Sequence, residues 1–86
     1  MKKYSKRVWL NPKTSPSTGS IVAYRGPAHW VDPKKVQIPY TFLEIADCQV
    51  KVRLHMTKTD SNRDFINKLE KLGNTALEFA EFLKKI

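Results

Sequence analysis

Between Gln49 and Met56 (QVKVRLHM) the chain alternates strictly. Val50, Val52, Leu54 and Met56 fall on one side of an extended strand, and Lys51, Arg53 and His55 fall on the other, because strand side chains alternate with period two. The pattern predicts a strand with one apolar and one cationic face. Downstream the period changes: Phe65, Leu69, Leu72, Ala76, Phe79, Ala80 and Leu83 hold a single phase at the helical repeat, which predicts an amphipathic helix running to Ile86. Ser61 followed three residues later by Asp64 has the form of a capping box, with Asp in place of Glu. Gly73-Asn74-Thr75 offers a competing reading, in which Gly73 is a C-cap and Thr75 with Glu78 opens a second helix. The unbroken phase favours one continuous or gently kinked helix, at a cost of about 1 kcal/mol for the interior glycine.

Earlier segments read as strands separated by turn chemistry. Residues 1–5 form a basic terminal arm. Residues 6–10 (KRVWL) place Lys6, Val8 and Leu10 on one side and Arg7 and Trp9 on the other. The stretch NPKTSPSTGS that follows has the composition of an exposed loop. Residues 19–25 (GSIVAYR) set Ile21 and Ala23 opposite Val22 and Tyr24, and Gly26-Pro27 ends that strand. A short extended piece at residues 28–31 and a turn at Asp32-Pro33-Lys34-Lys35 lead to a longer strand at residues 36–46, where Pro39 marks an edge or a strand start. Asp47-Cys48 is the expected hairpin tip before the strand at 49–56.

The elements combine into an α+β fold. A four- or five-stranded antiparallel sheet runs in chain order, with one C-terminal α-helix packed on one of its faces. As a single domain it divides into the arm at 1–5, the sheet at 6–57 and the helix at 60–86. The expected core comprises Val50, Val52, Leu54, Phe65, Leu69, Leu72, Ala76 and Leu83, together with Ile21 and Phe42.

Composition sharpens this reading in two ways. A chain of 86 residues with 41% hydrophobic content supports one modest core and leaves little room for a deep cleft, which favours a binding module over an enzyme. The net charge is +8, and it is unevenly spread. Up to Lys58 there are eleven lysines and arginines against three carboxylates, whereas from Thr59 onward five face five. Balanced charge on the helix is what solubility requires; a one-sided excess on the strands attracts phosphate backbones or acidic proteins. The lone Cys48 excludes an internal disulfide and suits a reducing, cytoplasmic compartment. No apolar run approaches the ~18 residues of a membrane span, and the basic start gives way to Asn11-Pro12 after too few apolar residues for a signal peptide. A membrane partner is therefore not expected.

The candidate chemistry follows from the cationic face. Lys51, Arg53 and His55 on one strand, Arg7 and Trp9 on another, and Tyr24 and Arg25 on a third supply cations for phosphates and rings for stacking on bases. The expected role is a non-catalytic accessory or regulatory protein that binds DNA or RNA. The residues carry no single-strand or finger signature of known spacing. Lys13 and its loop form a candidate clamp over a bound strand. His29, Cys48 and His55 are the soft metal ligands, scattered without the paired spacing of a zinc site, so neither metal nor cofactor is expected. No nucleophile elbow, phosphate loop or zinc-protease helix is present. The alternative reading is a regulator that inhibits or adapts an acidic protein through the basic face or the helix edge. Phe82 and Ile86, which extend the apolar arc of the helix, also suit a homodimer.

Overall fold

The computed structural model describes residues 3–26, 40–57 and 59–86. Four strands, β1 (Tyr4–Trp9), β2 (Gly19–Gly26), β3 (Tyr40–Asp47) and β4 (Val50–His55), pair antiparallel in the order β1-β2-β3-β4, and one helix, α1 (Asn62–Lys84), follows. This is the α+β arrangement that the two periods predict. The chain divides into two compact units, Met1–His55 and Met56–Ile86, and each is described by itself. The segment expected at 28–31, the turn at 32–35, the strand start at Val36 and the candidate ligand His29 lie outside the described residues.

Strand boundaries follow from backbone hydrogen-bond demand. β1 starts at Tyr4 instead of Lys6, because Tyr4 and Ser5 stand opposite Arg25 and Tyr24 and extend the ladder that β2 presents. Leu10 leaves the strand, and its N–H donates to the Gly19 carbonyl at 2.8 Å to close the β1–β2 loop. Within that loop Asn11 Oδ1 accepts the Gly19 N–H at 2.7 Å, and Ser15 N–H donates to the Pro12 carbonyl at 2.9 Å. Gly19 is needed there by close approach, since a Cβ would stand 2.6 Å from Asn11 Oδ1. The Cys48 N–H donates to the Thr18 carbonyl at 3.1 Å and ties this loop to the β3–β4 turn. That turn is Cys48-Gln49, one residue later than expected, and Cys48 takes the positive φ (55°) of a two-residue hairpin turn.

The register gives the sheet two unlike faces, because residues directly opposite in an antiparallel ladder share a side. One carries the rows Val8–Ile21–Ile45–Val52 and Lys6–Ala23–Leu43–Leu54. The expected core is only partly realised. Phe65 is buried, whereas Ile21, Leu54 and Leu69 are half-buried, and Val50, Val52, Leu72, Ala76 and Leu83 are exposed. For the valines the reason is position: β4 has one neighbour, so Val50 and Val52 remain 73% and 54% exposed, whereas β2 and β3 are shaded from both sides. Phe42 belongs to the opposite, cationic face, in register with Tyr24 and His55. The apolar pair that β3 contributes instead is Leu43 and Ile45.

Helix α1 starts where its cap predicts. Asp64 N–H donates to Ser61 Oγ at 3.1 Å, and Ser61 N–H donates to Asp64 Oδ2 at 3.0 Å, completing the capping box. The helix runs through Gly73 without a break. Thr75 is not a second N-cap: its hydroxyl donates back to the Lys71 carbonyl at 2.7 Å, a bond that lets threonine sit inside a helix.

Candidate functional site

Six of the seven residues singled out in the sequence meet on one face of the sheet. The register aligns Arg7–Val22–Glu44–Arg53 in one row, Ser5–Tyr24–Phe42–His55 in the next and Trp9–Ser20–Ala46–Lys51 in a third. Arg7, Trp9, Tyr24, Lys51, Arg53 and His55 therefore share a side. Arg25 does not. It lies in the row Tyr4–Arg25–Thr41 on the other face, with its guanidinium donating to Thr41 Oγ1 at 3.2 Å.

Arg53 is the most constrained cation of the face. Its Nε and Nη2 donate to one oxygen of Glu44, Oε2, at 3.1 and 2.7 Å, and Nη1 donates to the Tyr40 hydroxyl at 3.0 Å. Its guanidinium carbon lies 4.2 Å from the centre of the Phe42 ring, a cation–π distance. Phe42 in turn stacks on Tyr24 at 5.4 Å between centroids and meets Tyr40 at 5.2 Å in a tilted contact. Tyr24 can lie flat here because Gly26, next on the same face, has no side chain: a Cβ would stand 2.8 Å from the Tyr24 hydroxyl. Glu44 is only 18% exposed against 43% for Arg53. The hydrogen bonds from Arg53 hold the Glu44 carboxyl below its ordinary pKa, aided by the charges of Arg53, Lys51 and Arg7 and opposed by burial. The same bond to Glu44, then the one to Tyr40, raises the Arg53 pKa.

This pairing sets Arg53 apart from the other cations of the face. Arg53 is largely neutralised and fixed in place, whereas Arg7 and Lys51 stand at either edge strand. Arg7 lies 5.3 Å over the Trp9 ring. Trp9, 64% exposed, also borders a depression of about 290 Å³ lined by Asn11, Pro12, Lys13, Ser15, Ser17 and Thr18. The loop that carries Lys13 is thus a wall beside the face, held by its own hydrogen bonds.

Tyr40, Phe42 and Glu44 belong to this site and were missed in the sequence. Their spacing at i, i+2 and i+4 was the available signal: a two-residue turn at Cys48-Gln49 puts Glu44 opposite Arg53 and Phe42 opposite His55. Cys48 is exposed in that turn, at the opposite end of β4 from His55. Among the described residues no three His, Cys, Asp or Glu side chains gather as metal ligands. Among the described residues, too, no helix is long and apolar enough to cross a membrane. Compared with known protein families, curated proteins and solved structures, the chain matches none.

Proposed function

We propose that the protein is a non-catalytic, cytoplasmic nucleic-acid-binding accessory or regulatory protein that uses the cationic, aromatic face of its sheet. The observation that carries this reading is the convergence of Arg7, Lys51 and Arg53 with Trp9, Tyr24 and Phe42 on one side of the ladder. Arg7 and Lys51 supply phosphate contacts. Arg53 serves chiefly to hold Phe42 and Glu44 in place, and His55 adds a further donor at the end of the row.

Fluorescence anisotropy with labelled DNA and RNA at several salt concentrations tests it. Two or three phosphate contacts give a log–log slope of about −1.5 to −2.7. Replacing both Arg7 and Lys51 with Gln should weaken binding by about tenfold and flatten that slope by about 1.5. Unchanged affinity in the double variant would remove the face from consideration.

A second reading has its own support. Phe79, Phe82 and Ile86 of the helical unit are exposed and fall on one side of the helix by their i, i+3 and i+7 spacing, and apolar side chains gathered at a surface favour protein contacts. Under it the protein adapts or inhibits an acidic partner. A stoichiometric protein partner retained after nuclease treatment supports this reading, and its loss on nuclease treatment returns the first.

A further inference from the structure

Trp9 differs from the other rings of the face in what surrounds it. Phe42 is flanked by Tyr24 from β2 and by Arg53 from β4, so its ring is already stacked. The Trp9 indole carries the Arg7 guanidinium but is otherwise open, and it forms one wall of the depression at the β1–β2 loop. At about 290 Å³ the space lies at the small end of ligand sites, the size for one ring system. It is also preformed: the Asn11–Gly19, Ser15–Pro12 and Ser17–Ser15 hydrogen bonds shape the loop from within, and the Thr18–Cys48 bond anchors it to the neighbouring turn.

Two cations flank this aromatic wall. Lys13 lines the depression and Arg7 sits over the indole, whereas Lys51 ends the same cross-strand row on the opposite edge strand. A ligand matched to one flat wall and flanking cations is a planar ring that carries a phosphate. Resting on the nucleic-acid reading above, we infer that the Trp9 depression is a single-nucleotide pocket, which stacks one unpaired base on the indole while Lys13 and Arg7 meet the flanking phosphates and Lys51 meets the strand farther along the sheet. The protein then prefers single-stranded nucleic acid, because a duplex keeps its bases paired and stacked away from the indole.

Anisotropy titration of the full chain with three labelled probes of equal length tests this: a thymidine strand, the same strand with its bases removed at the abasic sugars, and a duplex. The abasic strand keeps every phosphate. The thymidine strand should bind about tenfold tighter than the abasic one and tighter than the duplex. Trp9→Ala should lower it to the abasic level, and Trp9→Phe should restore part of the difference. Equal binding of thymidine and abasic strands, or tighter binding of the duplex, overturns the pocket and leaves the cationic face standing. No binding to any probe at low salt overturns both. The comparison of probes uses the unmodified protein, so it holds even if Trp9→Ala fails to fold.

Discussion

At the scale of single residues, Arg53 and Glu44 define the electrostatics of the face. A carboxyl whose pKa is depressed by folding stabilises the native state above its unfolded pKa, and that contribution disappears as pH falls through the lower, folded value. For Glu44 the loss therefore begins below about pH 4.3, the ordinary glutamate value. Urea midpoints should drop as pH falls below about 4.3 more steeply in the native protein than in Glu44→Gln; parallel curves would show that the pair contributes nothing. Cys48 makes a second, independent point. A left-handed backbone is costly for side chains branched at Cβ, so Cys48→Val should destabilise the hairpin by about 1 kcal/mol while Cys48→Gly does not. Chemical denaturation of the two variants checks it.

At the scale of elements, what could be read from the residues was whatever depends on local spacing. The capping box at Ser61 and Asp64, the helical phase through Gly73 and the alternation of β4 are all contained within a few neighbouring residues, and each appears in the structure. The two-sided sheet was legible for the same reason, and Arg7, Trp9, Tyr24, Lys51, Arg53 and His55 do share one face. Arg25 was misplaced because it sits one position from Tyr24, and one position inverts the face. Glu44 and Phe42 were missed because their role depends on which residue of β4 lies opposite, and that depends on where the turn closes. Shifting a hairpin tip by one residue moves the opposite partner by two, which keeps the face but changes the neighbour. Gly73 gives a direct test at this scale. Nothing lies within 4 Å of a Cβ built there, so Gly73→Ala should stabilise the helix by about 1 kcal/mol. Circular dichroism at 222 nm against temperature reads it, and an unchanged or lower midpoint would mean that the glycine is required for another reason.

At the scale of the whole molecule, charge is unevenly spread. The basic excess lies in residues 1–58 and the balanced charge in the helical segment, whose Phe79 and Phe82 are exposed. If self-association uses that surface, sedimentation velocity should show a concentration-dependent dimer that Phe79→Glu with Phe82→Glu abolishes, with binding through Arg7 and Lys51 little altered. A monomer at all concentrations would leave the exposed phenylalanines to a different partner or to none.

The hydrogen bond from Cys48 to Thr18 has a practical corollary. The only thiol of the chain is exposed, and it sits one backbone bond away from the loop that walls the Trp9 depression. A dye coupled to that thiol needs no engineered attachment point. It would report a ligand's arrival beside the loop, turning the hairpin tip into a built-in optical gauge for the Trp9 depression.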